Sequence, residues 1–480
     1  MKRTLLPSTR RIVSLAASLG TGLALLICAL PARGDDKDLK AARASLKKSE
    51  KVVIGGDASD DPKGVEQAVT AVKLVRAAEN DEAARFLLKC SHEAVHEEVF
   101  QAIRSELGQF STDDPVKTLA LCLANKDKKQ DWRERVLVAQ VAAEVKNPRI
   151  VDGVVAALDD ADLNVLGPTI AAAGKKEEKR VIEALVKVLQ RLEKVGGNEY
   201  FLARQSLVDL TGQDFFTYDK WKEWWAASKD SFEFGKKGEA KEAKTQERVA
   251  GEKKPVFFGT EVRSSRLVFV IDVSGSMKMT DAPDNPDDPE LVKKLADGEP
   301  NLDLARIARA RKELKSAIEN LQPWQRFNVL TFSDSFKTWQ QDLTPATDAN
   351  KKAALDFVAN LKEGGGTYTD DAFKRAFDMK EIDTIFFLSD GAPQKKVTNP
   401  GKQTEDHQRE LMKVCYEIVK KETRFRHVTI HSFGLCGLGV WYKKWGPRPP
   451  DLSLDPQSVA PLREFMQELA KMTGGEFKQL

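Results

Sequence analysis

"RLVFVIDVSGSM", Arg266 to Met277, runs through five apolar residues and then stops on one acid and two hydroxyls. A short β-branched and aromatic run without polar alternation is what a strand buried on both faces requires. The same pattern returns at "FNVLTF" (327–332), "TIFFLSD" (384–390) and "VTIHSFG" (428–434). Between these runs lie "LDLARIARARKELKSAIENL", "DANKKAALDFVANLK", "TDDAFKRAFDM" and "QRELMKVCYEIVKKE", with apolar residues at helical spacing; Leu304, Ile307, Ala308, Leu314, Ile318 and Leu321 mark one such face. Strands alternating with amphipathic helices predict a doubly wound, Rossmann-like α/β domain with a mainly parallel sheet over residues 256–480. "PLREFMQELAKMTGGEFKQL" supplies its last helix, a glycine stop and a short final strand.

Upstream the grammar differs. Residues 35–228 read as helix after helix with short polar breaks, each helix too small to bury its own apolar face, which predicts a stacked all-α array. "IVDGVVAALDDADLNVLGPTIAAAGKKEEKRVIEALVKVL" (150–189) resembles HEAT-type repeats: a helix, an Asp-rich turn, a second helix and a Gly-terminated break. Trp221, Trp224 and Trp225, at helical spacing, predict an aromatic cluster sealing the array's end. Residues 229–255, highly charged and nearly free of apolar side chains after Phe234, read as a linker.

Residues 1–34 have the form of an export signal. Lys2, Arg3, Arg10 and Arg11 precede the apolar "IVSLAASLGTGLALLICAL", and Ala32-Arg33-Gly34 offers small residues for cleavage. Loss of this segment takes five basic residues and no acidic ones, leaving 71 Lys and Arg against 73 Asp and Glu. A nearly neutral chain without a basic block excludes the electrostatic footprint of a nucleic-acid binder. No later segment reaches the roughly 20 apolar residues of a membrane span. The expectation is an exported protein, periplasmic or extracellular. Cys90 with Cys122 and Cys415 with Cys436 are pairs that an oxidising compartment would allow, beside the alternative of free buried thiols.

In open α/β sheets ligands bind beyond the carboxyl ends of the strands. Asp272 ends the first strand and Asp390 a later one, so both carboxylates belong to one crevice, where hard oxygen donors suit Mg²⁺, Ca²⁺ or Mn²⁺. "DVSGSM" resembles the DxSxS signature of the von Willebrand factor A domain, and "GGGTYTDDAF" (364–373) and "FLSDGAP" (387–393) fit that family in order and position. The resemblance implies a metal-ion-dependent adhesion site. In it Ser274, Ser276 and Thr367 would offer hydroxyls to the cation, and Asp272 and Asp390 would act mostly through bound water. Thr369, in the same "GTYT", is the competing hydroxyl for Thr367. Uncharged hydroxyls leave the ion attractive to an outside acid, so the implied partner is a protein presenting an Asp or Glu. The array is not covered by this resemblance, and nothing in the sequence sets the oligomeric state.

After the motif an acidic insertion carries Asp281, Asp284, Asp287, Asp288 and Glu290, read as an irregular loop at the rim of the site. A rival motif is "HEAVH" (92–96), in which His92 and His96 would bind zinc and Glu93 serve as base of a peptidase. Glu97 and Glu98 follow it, Val99 stands where metzincins carry glycine, and no third ligand follows. The alternative is a repeat helix from Asp81 to Leu107 burying Leu88, Val95, Val99 and Ile103. Cys436 in "GLCGLG" has no evident base and makes no nucleophile. The reading is therefore a non-enzymatic binding protein, with a zinc peptidase or a scaffold holding a vestigial metal site as its rivals.

Overall fold

The computed structural model describes residues 62–94, 96–125, 127, 131–235, 254–281, 289–379, 381–394, 405–437, 439–447 and 459–480. The signal-like stretch 1–34 and most of the charged run 229–255 lie outside the described residues. The chain divides into two compact units: one up to Leu185 with Asp209–Thr211, the other Val186–Val208 with Gly212–Leu480.

The first unit is helical: α1 Pro62–Arg76, α2 Asp81–Glu93, α3 Glu97–Gly108, α4 Asp113–Ala124, α5 Trp132–Val141, α6 Ile150–Ala157, α7 Leu163–Ala173 and the start of α8 Lys179–Leu192. Packing runs to the next helix but one, α1 on α3, α2 on α4, α4 on α6 and α5 on α7, as in a stack of helix pairs. Leu87, Ile103, Leu119, Leu137, Val154 and Ile170 are fully buried in it, each side chain worth roughly 1.5–3 kcal/mol. Gly153 lets α6 approach α4 closely, since a Cβ there would lie 2.6 Å from the Ala120 carbonyl oxygen. The Asp-rich turn is a capping device: Asp162 accepts from the Asn164 amide at 2.9 Å, and buried Asp160 pairs with Arg135 of α5.

"HEAVH" does not lie on one helix. Ala94 takes an extended backbone, α2 ends at Glu93, and His96 is the N-cap residue of α3. The single helix expected over 81–107 is thus two, and the two histidines are not one helical turn apart as a zinc-peptidase site requires. His92 instead tethers α2 to the start of α5, its Nε2 3.1 Å from the Glu134 carboxylate and Nδ1 3.5 Å from Asp131. Leu88, Val99 and Ile103 are buried as expected; Val95 lies outside the described residues. Cys90, Cys122, Cys415 and Cys436 are all buried thiols, and neither candidate disulfide is present among them.

The second unit contains the rest of α8, most of α9 Asn198–Thr211, α10 Tyr218–Ser228 and the α/β domain. In α10 Trp221 and Trp225 are buried; Trp221 packs edge-on against Phe215 and donates to its carbonyl at 3.0 Å. The α/β domain opens with a hairpin of β1 Val256–Phe257 and β2 Thr260–Glu261. The main sheet consists of β3 Arg266–Asp272, β5 Arg326–Phe332, β6 Phe336–Thr338, β7 Thr344–Pro345, β8 Thr384–Ser389, β9 Thr429–Gly434 and β11 Phe477–Gln479. Its order is β11-β9-β8-β3-β5-β6, with β7 beside β5; β3, β5, β8, β9 and β11 run parallel and the two short edge strands antiparallel.

Successive residues of β3 serve opposite faces. Leu267, Phe269 and Ile271 pack with α12 Arg306–Glu319 and α13 Asp348–Ala359. Val268 and Val270 pack with α14 Thr369–Asp378, α15 Glu405–Thr423 and α16 Val459–Thr473. This is the double cover that a continuous apolar strand predicts. Ile307, Leu314, Ile318 and Leu321 are buried on the α12 side, whereas Leu304 falls in a short 3-10 turn, Leu302–Leu304, before the helix and is exposed. The chain leaves β3 for β5 on one side and later returns to β8 on the other, so the strand order reverses between β3 and β8. Crevices of such sheets open at that point.

Candidate functional site

Asp272 and Asp390 stand at the carboxyl ends of those two adjacent strands, and Asp272 is fully buried. Its Oδ1 accepts from the Ser274 amide at 2.7 Å and its Oδ2 from the Ser389 hydroxyl at 2.5 Å. The turn after β3 then brings Ser274 Oγ and Ser276 Oγ to 3.0 Å from each other, and Ser276 Oγ donates to Asp390 Oδ1 at 2.7 Å. Burial, and next the charge of Asp390, push the Asp272 carboxyl up to about 7, against the lowering effect of its serine donors. A positive charge placed among these groups would offset both effects.

The glycine run closes over this turn. Gly364 donates its amide to the Val273 carbonyl at 2.8 Å, and Gly275 donates to the Gly365 carbonyl at 3.0 Å. Gly365 has φ +83°, a conformation that side-chain-bearing residues rarely adopt, and the Gly366 amide is held by Asp334 Oδ1 at 2.6 Å. Thr367, buried, faces Gly391: a Cβ at 391 would lie 3.3 Å from the threonine hydroxyl oxygen. The glycine thus keeps a cradle open between Thr367 and the loop after Asp390. Thr369, the competing hydroxyl, begins α14, and its Oγ1 is buried without a hydrogen-bond partner.

All five expected residues therefore lie at one end of the sheet, Asp272 as the last residue of β3 and Ser274, Ser276, Thr367 and Asp390 in the turns beyond the strands. Among the described residues no group of three or more His, Cys, Asp or Glu could hold a metal ion. The donor set is of another kind, hydroxyls flanked by two carboxylates, which suits a hard, oxygen-preferring cation.

Three contributors escaped sequence reading. Ser389 precedes the noted aspartate and orients Asp272. Asp334, in the turn after β5, holds the glycine loop. Arg306, only 2% exposed, donates Nη1 to Asp390 Oδ2 at 2.8 Å and Nε to Asp281 Oδ1 at 2.7 Å. Burial disfavours its charge, but Asp281 and Asp390 more than offset this and hold the guanidinium firmly protonated.

Where the insertion is described, on either side of residues 282–288, it carries regular elements rather than only irregular loop. β4 Thr280–Asp281 pairs antiparallel with β10 Gly439–Val440, and α11 Pro289–Leu295 packs Val292 against Val440 and Tyr442. Lys278 Nζ lies 4.7 Å from the Trp445 ring centroid and 5.7 Å from that of Trp441. Asp281 is engaged by Arg306 and Arg309, Glu290 by Lys293, while Asp284, Asp287 and Asp288 lie outside the described residues.

The profile of the von Willebrand factor type A domain matches residues 267–392, which spans β3, the hydroxyl turn, the glycine loop and Asp390. Residues 267–392 are a von Willebrand factor type A domain. Such VWA domains typically mediate protein–protein interaction. Mouse inter-alpha-trypsin inhibitor heavy chain 4 is 27% identical over 149 residues, 28% of this chain and 13% of that protein. Human von Willebrand factor A domain-containing protein 3A is 26% identical over 152 residues, 32% of this chain and 10% of that one. The chain thus spans only a small part of the length of these relatives. A solved von Willebrand factor type A structure from Catenulispora acidiphila is 19% identical, covering 45% of this chain and 44% of its own, with a TM-score of 0.25. No described helix is long and apolar enough to cross a membrane.

Proposed function

We propose that the VWA domain holds a divalent cation, Mg²⁺ or alternatively Ca²⁺ or Mn²⁺, and through it captures an Asp or Glu side chain of a partner protein. The observation that supports this reading is the hydrogen-bonded run from Ser274 Oγ to Ser276 Oγ and on to Asp390, beside buried Asp272, with Thr367 buried against Gly391 of the loop after Asp390. Ser274, Ser276 and Thr367 would offer neutral oxygens, and Asp272 and Asp390 would orient bound water. When bound, the cation supplies an uncompensated positive charge for an outside carboxylate. Ser389 holds Asp272 in place, and Asp334 keeps the glycine loop closed over the hydroxyl turn.

Export fits the same reading. The signal-like residues 1–34 support a periplasmic or extracellular site of action, where divalent cations are freely available. The stacked helices of the first unit, with their HEAT-like turn, would provide a second protein-binding surface.

The test is capture of partners from the native envelope with and without EDTA, repeated with Ser274→Ala/Ser276→Ala. Capture lost in EDTA and in the double variant alike is the expected result. Capture indifferent to both would sink the adhesion reading.

A further inference from the structure

Arg306 is the only arginine among the described residues with its guanidinium bonded to a site carboxylate, and it is almost wholly buried. Its three anchors belong to different parts of the rim. Nη1 donates to Asp390 at 2.8 Å, Nε to Asp281 of β4 at 2.7 Å, and Nη2 to the Gly437 carbonyl at 2.5 Å, just before β10. Arg309, one turn along α12, donates to the other Asp281 oxygen at 2.7 Å. Asp281 therefore answers two arginines, whereas Asp390 shares Arg306 and accepts from Ser276 on its remaining oxygen.

Charge arithmetic gives this arrangement a consequence. Asp272 and Asp390 supply the negative charge that draws a divalent cation to the site; Arg306 adds a positive charge that competes for Asp390 and is buried where water screens it little. We propose that Arg306 is a resident counter-cation: it lowers the affinity of the site for the divalent ion, and Asp281 sets how strongly it does so by drawing the guanidinium away from Asp390. This rests on the metal-site reading above and makes Arg306 a positioning residue of that site, tied to the β4–β10 rim. Removing Arg306 should then tighten cation binding, while removing its distracting partner Asp281 should weaken it.

The experiment is titration of the full chain with Mn²⁺ alone, by calorimetry and by the cation-induced shift in melting temperature. Arg306→Gln combined with Asp281→Asn leaves Asp390 without its guanidinium and should bind Mn²⁺ about tenfold tighter than the wild type or more. Asp281→Asn alone, a conservative change with Arg306 retained, should bind about threefold weaker or more. Arg306→Lys keeps the charge and should stay within about threefold of the wild type. Unchanged affinity in Asp281→Asn, or unchanged or weaker affinity in the double variant, overturns the inference even if the double variant folds poorly and only the single one is measurable. Mn²⁺ uptake by the double variant but not by the wild type supports it in its strongest form. No uptake by wild type or any variant removes the metal-site reading and this inference with it.

Discussion

The same sheet carries a pair of buried acids at each end, and the two ends have been built for different purposes. At the carboxyl end stand Asp272 and Asp390; at the amino end stand Asp383, just before β8, and Glu199 of α9. Glu199, like Asp272, is pushed up to about 7, by burial first and by its neighbour Asp383 second. The difference lies in the donors. Asp383 accepts from Ser264, from Ser265 at 3.3 Å, from Arg266 at 3.4 Å and from Thr384 at 2.8 Å, and Thr384 accepts in turn from Asn198 at 2.9 Å. That end is saturated with protein groups and works as a joint between α9 and the sheet. The carboxyl end has one arginine and a set of hydroxyls, and glycines keep its surroundings free of side chains. A buried acid pair is a joint where its donors tie separate elements together, and a candidate site where most of those donors are hydroxyls whose own oxygens can turn to a cation.

The sharpest way to break this contrast is to neutralise one acid at each end. Asp383→Asn turns accepting oxygens into a mixed amide among donors, and should cost about 3 kcal/mol in urea unfolding, the scale for breaking a buried ion-paired network. Asp272→Asn should instead leave the cation-free protein as stable as the wild type or more so, while abolishing the rise in melting temperature on adding Mg²⁺. Equal destabilisation by both would erase the distinction.

Next in size is a pH effect. Asp272 and Glu199 each take up a proton more readily folded than unfolded, the unperturbed values being 3.8 and 4.5. The folded state therefore holds the extra proton between about pH 4 and 7, so each acid makes the cation-free protein lose stability as pH rises through that window, and the loss is complete above about 7. Asp272→Asn and Glu199→Gln should each flatten the slope. Saturating Mg²⁺ should flatten only the part due to Asp272, because the proposed cation site lies at the other end of the sheet from Glu199. A slope that Mg²⁺ leaves untouched in the wild type would show that the two ends are alike.

The smallest effects come from the threonines. Thr384→Ala removes one donor and one acceptor at the joint, and should cost about 1 kcal/mol with no change in cation binding. Thr367→Ala should leave the melting temperature within about a degree, since its hydroxyl serves no joint, yet weaken Mg²⁺ binding about tenfold, a single lost ligand. If Thr369→Ala rather than Thr367→Ala weakens the cation, the ligand is the other hydroxyl of "GTYT".

Much of this architecture could be read from residue patterns because it rests on local physics. Unbroken apolar runs such as "RLVFVID" tolerate only a doubly covered strand, and hydroxyls placed directly after one fall into the crevice beyond it. Where local signals were absent or ambiguous, the pattern misled. No Gly or Pro marks the break at Ala94, so helical spacing ran through "HEAVH"; Glu97-Glu98, acids suited to a helix N-terminus, were the one sign of a fresh start. In "LARIARARKEL" the arginines fall between the residues of the apolar face, and nothing singles out Arg306 among them for burial.

The amino-acid order alone accounts for the class of each domain, the strand ends and the adjacency of Asp272, Ser274 and Ser276, since these depend on alternation, periodicity and neighbours in the chain. Tertiary structure alone brings Thr367 and Asp390 to that turn across about a hundred residues, sets Arg306 between Asp390 and Asp281, and gives Asp383 the donors that make it a joint. Those pairings depend on which strands lie side by side, and strand order follows from how the whole chain buries its apolar faces.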